Sequence, residues 1–149
     1  MKPVVLYAVI FSMLIFLTGC TNESHVEDDM QEITFSLRTN YAEFSNNELD
    51  ASLFENIINS FEPDIWDFMV LSPSKPISGS TFIQVGAPQE TVDFQYTLEI
   101  GFSSLESRLT MYRTYTMDKD MVLHCIIDYW KYQNIPDISS WEDVSEEMK

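Results

Sequence analysis

The segment DFQYTLEIGF, residues 93–102, carries the clearest β-strand pattern in the chain. Every second residue is large and apolar, and this set comprises Phe94, Tyr96, Leu98, Ile100 and Phe102. The residues between them are polar, or glycine. Because successive side chains of a strand point to opposite faces, the pattern predicts one face against a core and one face toward water. A strand of this kind belongs to an antiparallel sheet, whose apolar face needs a covering layer.

Four further segments predict strands around it: 33–44, 65–71, 81–85 and 108–116. The segment 33–44 alternates only in part, and 65–71 reads as a strand buried on both faces. Turn-rich stretches, SPSKPISGS at 72–80 and GAPQETV at 86–92, separate the strands that follow. Short connections favour antiparallel pairing of consecutive strands. We therefore expect an antiparallel sheet of about four or five strands.

Two segments predict amphipathic helices of similar character. Each has apolar residues at helical spacing, an aspartate that can cap its start (Asp50 or Asp118) and a proline that ends it (Pro63 or Pro136). The apolar stripes consist of Leu53, Phe54, Ile57, Ile58 and Phe61 in the first helix, and of Met121, Val122, Cys125, Ile126, Tyr129 and Trp130 in the second. These two stripes can cover the apolar face of the sheet.

The predicted fold is therefore an α+β two-layer sandwich with both helices on one face of the sheet, formed by residues 32–149. In this arrangement Leu98, Phe54 and Ile126 lie in the core. Gln95 and Glu99 lie on the opposite face in water, where truncation to alanine is expected to cost under about 0.5 kcal/mol.

The first residues of the chain predict a targeting signal. After Lys2 comes a run of apolar residues, VVLYAVIFSMLIF at 4–16, which is shorter than the roughly 20 residues that a membrane-spanning helix needs. A buried core helix of the same length is the alternative. The position at the terminus, the lack of a polar face and the small residues that follow favour a signal peptide.

The residues Leu17-Thr18-Gly19-Cys20 resemble the lipobox of bacterial lipoproteins. The resemblance implies removal of residues 1–19 and a diacylglycerol thioether on Cys20, with palmitate-type acyl chains as the lipid anchor. Residues 20–31 then form the lipidated cysteine and a flexible acidic tether. The resemblance implies a location outside the cytoplasm, on the cell membrane or the outer membrane. Two acyl chains suffice for stable anchoring.

The charge of the chain limits its partners. The formal net charge is −16 at pH 7, and removal of residues 1–19, in which Lys2 is the charged residue, takes it to −17. Such an anion is repelled by nucleic acid and by anionic lipid headgroups, and it attracts basic proteins. We therefore expect no nucleic-acid partner, membrane contact through the lipid anchor, and a basic protein as the candidate partner. The alternative is that the charge serves solubility alone.

The sequence contains no catalytic motif: GxSxG, HExxH, CxxC and phosphate-binding loops are absent. No catalytic residue, metal ligand or cofactor is predicted. Lipidation of Cys20 leaves Cys125 as the remaining cysteine, and its place in an apolar helical stripe predicts core packing. An alternative hypothesis is an extracytoplasmic hydrolase whose acid and base are scattered carboxylates such as Glu99 and Asp128.

Amphipathic aromatic residues are frequent for one small domain, and they suggest a protein-binding surface. Tyr112 shares a strand face with Thr110 and Thr114. If that face is exposed, it places Tyr112 beside Gln95 and Glu99 of the neighbouring strand, and these three residues are the predicted binding surface. The alternative is that the tyrosines are ordinary packing residues.

The domain also resembles the immunity proteins that accompany polymorphic toxins. The resemblance covers residues 65–145 and rests on FIQ at 82–84, YTLE at 96–99, DYW at 128–130 and SWEDV at 140–144. It implies an inhibitor or binding role without catalysis, and it assigns no site residues. The sequence thus predicts a membrane-anchored, non-catalytic binding or inhibitor module.

Overall fold

Seven strands and two α-helices form the part of the chain that the computed structural model describes, residues 32–103 and 108–148. Residues 32–149 form one unit with its own core. The predictions for the signal peptide, Cys20 and the tether lie outside the described residues. No helix within the described residues is long and apolar enough to cross a membrane.

The elements in chain order are β1 (Phe35–Thr39), β2 (Glu43–Phe44), α1 (Ala51–Ser60), β3 (Phe68–Pro73), β4 (Ser80–Gln89), β5 (Gln95–Ser103), β6 (Leu109–Thr116), α2 (Lys119–Tyr132) and β7 (Glu142–Asp143). All strand pairs are antiparallel, in the order β2-β1-β3-β4-β5-β6-β7. The predicted α+β class is confirmed. The predicted strand number was too low, because segment 33–44 folds into a hairpin of two strands and the tail adds β7.

Both helices begin where the sequence predicts. Asp50 Oδ1 accepts a hydrogen bond from the Leu53 amide at 2.7 Å, and Asp118 Oδ1 accepts one from the Met121 amide at 3.0 Å. Each cap satisfies an amide that has no partner within its helix. At the other end of α2, Gln133 adopts a left-handed conformation with φ of 54° and terminates the helix.

The core lies between the helices and one face of the sheet. Leu98, Phe54 and Ile126 are fully buried, as predicted. One cluster joins the buried residues of both helices to alternate residues of the strands and to two residues outside these elements, Leu49 and Ile77. Its members are Phe35, Leu37, Leu49, Phe54, Ile58, Met69, Leu71, Ile77, Ile83, Val85, Leu98, Ile100, Val122, Ile126 and Tyr129. The apolar face of β5 therefore points toward the helices, as its alternating pattern requires.

The opposite face of the sheet, here called the open face, carries a row of residues from β1 to β7 that is polar except for Val70. Its residues face one another in register: Arg38, Val70, Gln84, Glu99, Arg113 and Glu142. Glu99 is nevertheless buried. The expectation that Glu99 lies in water was therefore wrong, because neighbouring side chains and loops cover this part of the open face.

The start of β5 also differs from the predicted strand 93–102. Asp93 and Phe94 have φ values of 53° and 56°, in the left-handed region, and follow a short 3₁₀ helix. The Phe94 amide donates to the carbonyl of Gln89 at 2.8 Å and closes the loop. Phe94 is therefore exposed and does not join the apolar face of β5.

Candidate binding cleft

A cleft of about 330 Å³ opens on the open face of the sheet, and we call it the Glu99 cleft. Its floor consists of residues from strands β4, β5 and β6: Gln84, Gly86, Thr97, Glu99, Arg113 and Tyr115. Its walls consist of the segment that leads into β3, the end of β4 with the turn that follows it, and the C-terminal segment: Trp66, Asp67, Phe68, Ala87, Gln89, Thr91, Val92 and Glu147. Aromatic, acidic and amide side chains therefore converge on one concave surface.

Glu99 lies at the centre of the floor and is 7% exposed. Its Oε1 accepts a hydrogen bond from Arg113 Nε at 2.7 Å, and its Oε2 accepts one from Gln84 Nε2 at 2.9 Å. Arg113 Nη1 also donates to Glu147 Oε2 at 2.8 Å. Removing a carboxylate from water is costly unless the charge is paired and hydrogen-bonded, and this network supplies both kinds of compensation.

The charge state of Arg113 follows from the same network. Burial alone lowers the pKa of the guanidinium, but the hydrogen bonds to Glu99 and Glu147 outweigh burial and raise this pKa above its ordinary value. Arg113 therefore stays protonated, and it fixes the two carboxylates on either side of it.

One wall of the cleft is a pair of loops tied to each other. Asp64, which adopts a left-handed φ of 62°, accepts a hydrogen bond at Oδ1 from the Glu90 amide at 2.7 Å. Gln89 Nε2 donates to the carbonyl of Ile65 at 3.0 Å. These contacts hold the backbone before Trp66, and the Ala87 amide holds the backbone after it by donating to the carbonyl of Asp67 at 2.9 Å. Trp66 itself is 80% exposed. The wall thus presents a large aromatic side chain on a braced loop.

The opposite wall comes from the C-terminal segment. Val144 is buried, and its amide donates to the carbonyl of Met111 at 2.9 Å. In return, the Met111 amide donates to Ser145 Oγ at 3.0 Å. This pairing with β6 fixes the short 3₁₀ helix Ser145–Met148 beside the sheet and brings Glu147 to the guanidinium of Arg113.

The predicted surface of Gln95, Glu99 and Tyr112 does not form. Tyr112 lies opposite Ile100 in the register, packs against the core, and contacts Phe102 edge to face with ring centroids 5.9 Å apart. Gln95 lies on the same face of β5 as Glu99, but it is not part of the cleft lining. Of the three, only Glu99 belongs to the cleft.

The predicted binding surface left out Trp66, Arg113 and Tyr115, although Trp66 and Tyr115 are among the amphipathic aromatic residues of the sequence. A signal for Arg113 and Tyr115 exists in the alternation of β6, which places both on the face of Met111. No local signal identifies Trp66, because its position depends on hydrogen bonds to a loop that is distant in sequence.

The carboxylates of the hydrolase hypothesis are not brought together. Asp128 lies on α2, where its Oδ2 is 3.2 Å from His124 Nε2, and it lines a second cleft of about 290 Å³. Glu99 lines the Glu99 cleft on the open face, and both of its carboxylate oxygens already accept hydrogen bonds. Acid and base catalysis needs two groups at a fixed short separation, and Glu99 and Asp128 do not meet that requirement.

Cys125 also lines the second cleft and packs against the core. Burial, and then the charge of Asp128, raise the pKa of its thiol, so the nucleophilic thiolate is disfavoured. Within residues 32–103 and 108–148, no three His, Cys, Asp or Glu side chains are grouped so that they could hold a metal ion. Comparisons of the chain with protein-family models, with curated proteins and with solved structures found no match.

Proposed function

We propose that the mature protein is a non-catalytic binding or inhibitor module, lipid-anchored outside the cytoplasm, which binds a protein partner through the Glu99 cleft. The observation that carries the proposal is the exposed Trp66 above a floor that contains Tyr115 and Arg113. Tryptophan, tyrosine and arginine are the residue types that dominate the binding energy of protein interfaces.

The surroundings of the cleft support a macromolecular partner. Ile65, which precedes Trp66, is also exposed, as are Tyr41 and Phe94, whose loops are hydrogen-bonded to the lining residues Trp66 and Gln89. Asn40, the neighbour of Tyr41, donates a hydrogen bond to the carbonyl of Trp66, which joins two of these loops. A small molecule inside the cleft leaves this outer apolar surface in water, whereas a protein surface can cover it.

The construction of the walls favours binding with little rearrangement. Both loops beside Trp66 are held by hydrogen bonds to each other, and Glu147 is held by Arg113. Ordering loops and side chains on association costs free energy, so a surface that is ordered beforehand binds more tightly. An inhibitor that must capture its partner quickly benefits further from the net charge of −16 to −17, which attracts basic proteins.

The lipid anchor is the second part of the proposal, and it rests on Leu17-Thr18-Gly19-Cys20. Replacement of Cys20 by alanine should abolish lipidation, so that the protein is released or left uncleaved. Mass spectrometry of the purified protein and membrane fractionation measure the two effects. An unchanged mass together with unchanged fractionation contradicts the anchor.

The binding function can be tested with residues 21–149 as bait in an extract of the source bacterium, and with the product of any adjacent toxin-like gene. Trp66→Ala is the test variant, and Tyr132→Ala, which truncates an exposed aromatic at the end of α2, is the matched control. We expect a stoichiometric partner to be retained by the wild type and by the control. Loss of Trp66 should weaken binding by about 30-fold, the value for a binding hot spot.

A salt titration completes the test. Binding to a basic partner should weaken between roughly 0.1 M and 0.5 M salt, because the charges are screened over that range. Equal binding by Trp66→Ala and Tyr132→Ala contradicts the cleft as the interface. Failure to retain any partner at low salt contradicts the binding function itself.

A further inference from the structure

Carboxylates outnumber cations around the Glu99 cleft. Its lining contains Asp67, Glu99 and Glu147 but one basic side chain, Arg113. The guanidinium of Arg113 is engaged by two of the carboxylates, at 2.7 Å and 2.8 Å. An anionic ligand would therefore have to break these bonds and meet the released carboxylates, whereas a cation finds net negative charge in a partly water-excluded site.

From this charge pattern we infer that the Glu99 cleft receives one cationic side chain, an arginine or a lysine of the partner; the inference rests on the proposed function. The aromatic lining suits this occupant, since Trp66 and Tyr115 offer ring faces at which a cation is attracted. The same face already contains such a contact: the guanidinium of Arg38 lies 5.9 Å from the ring centroid of Phe68, a residue of the cleft lining.

The amides of the lining add hydrogen-bond acceptors. Gln84 Nε2 donates to Glu99, and Gln89 Nε2 donates to the carbonyl of Ile65. An amide whose nitrogen is used as a donor can offer its oxygen to a ligand as an acceptor. A guanidinium has five N–H donors and no acceptor, so it matches this set better than an anionic or purely apolar group does.

The size of the cleft is compatible with the insertion of one long side chain. Sites for whole small molecules begin at about 300 Å³, and the Glu99 cleft, at about 330 Å³, is at the lower end of that range. The backbone around the inserted side chain then rests on the exposed surface outside the cleft. We therefore expect the partner to present the cation on a protruding loop or turn.

The experiment uses N-acetyl-arginine amide as the probe and the uncharged, nearly isosteric N-acetyl-citrulline amide as its control. The indole N–H resonances of Trp66, Trp130 and Trp141 are followed by NMR in residues 21–149, with Trp66→Phe for assignment. We expect a saturable shift of the Trp66 resonance with a dissociation constant in the millimolar range. Citrulline should bind at least about fivefold more weakly, because it lacks the charge.

Trp141 provides an internal control, since it lines the second cleft together with Asp128 and Asp137. A parallel shift of the Trp141 and Trp66 resonances indicates general attraction of cations to an acidic protein, and it overturns the inference. Equal affinities for the arginine and citrulline probes overturn it as well.

Two variants identify the charges that act on the probe. Glu147→Gln should weaken arginine binding roughly fivefold, while Asp120→Asn, at an exposed position in the first turn of α2, should leave it unchanged. Equal affinities of these two variants contradict the inference. Retention of a protein partner through Trp66 without arginine binding overturns this inference alone, and arginine binding without any protein partner overturns the proposed function alone.

Discussion

The Glu99–Arg113 pair makes the sharpest prediction about stability. The alternation of β5 places Glu99 away from the core, which on its own predicts that Glu99→Ala costs under about 0.5 kcal/mol. The structure buries this carboxylate and gives both of its oxygens donors. We now expect Glu99→Ala to lower the free energy of unfolding by about 2–3 kcal/mol.

The magnitude lies between two limits. Breaking a fully buried ion pair costs about 3–5 kcal/mol, because one charge stays buried without a partner, while a solvent-exposed pair contributes about 0–1 kcal/mol. The side chains of Glu99 and Arg113 are 9% and 19% exposed, so the pair lies near the buried limit. Arg113 keeps Glu147, but that side chain is 57% exposed and its charge is screened, so it offsets only part of the loss.

The assay is urea unfolding of residues 21–149, followed by circular dichroism, with the free energy and the slope fitted separately. The matched control is Glu142→Ala, because Glu142 is an exposed carboxylate that also faces Arg113 in the register. It should cost less than about 0.5 kcal/mol. A double-mutant cycle with Arg113→Met then isolates the coupling of Glu99 with Arg113.

A separate double variant gives a second stability change to check. Replacing both charges by apolar groups, in Glu99→Leu with Arg113→Met, removes the need for pairing, so the double variant should be more stable than Glu99→Ala alone. If Glu99→Ala costs no more than Glu142→Ala and the slope is unchanged, the pair is screened like a surface pair. That result would refute the burial of Glu99 and Arg113 in the floor of the Glu99 cleft.

Two further predictions concern other parts of the domain. Gly101→Ala should cost about 1–3 kcal/mol in urea unfolding, because the added Cβ would overlap Cε1 of Phe82. Phe82→Leu in the same chain should reduce this cost, and a neutral or stabilising Gly101→Ala contradicts the contact. Tyr129→Phe removes a 2.9 Å hydrogen bond with Ser80 and should cost about 1 kcal/mol. Burial raises the pKa of the Tyr129 phenol, so the folded domain keeps this proton to higher pH than the unfolded chain does, and stability should fall as pH rises above about 10. Tyr129→Phe should flatten that fall in unfolding experiments between about pH 9 and pH 11, and an unchanged alkaline profile contradicts the assignment.

The parts of the fold that the sequence predicts are those governed by local rules. The alternation around Leu98 identifies β5 and its buried face, and the apolar stripe around Ile126 identifies α2. Asp50 and Asp118 cap their helices because an aspartate just before a helix can accept a hydrogen bond from its first turn. Each signal is contained within one element, so no knowledge of its neighbours is needed.

The elements that were missed depend on distant pairing. Strands β2 and β7 are two residues long, too short to carry any periodicity, and they exist because they pair with β1 and β6. Phe94 fits the alternation of β5 by residue type, but its backbone is left-handed, so the loop overrides the pattern there. Local propensity gives way to tertiary context in both situations.

Strand β6 shows why the binding surface was assigned to the wrong side. One of its faces contains Met111, Arg113 and Tyr115, and the other contains Tyr112 between threonines. Neither set is clearly apolar, so hydrophobic pattern does not decide which face meets the core. The pairing with β5 decides it, by placing Tyr112 opposite Ile100 and Arg113 opposite Glu99.

Two predictions from the sequence were wrong on the open face: the exposure of Glu99 and the choice of the β6 face that packs against the core. Both errors concern the same place in the structure, the Glu99–Arg113 pair. A chain that needed only a stable sheet could cover this floor with apolar side chains, since a buried ion pair is often no better than a well-packed apolar cluster. Instead Glu99, Gln84 and Arg113 form a polar network beneath Trp66. Sites where local rules are broken and then compensated by specific partners are typical of functional surfaces. This coincidence favours recognition over stability as the reason for the network at the Glu99 cleft.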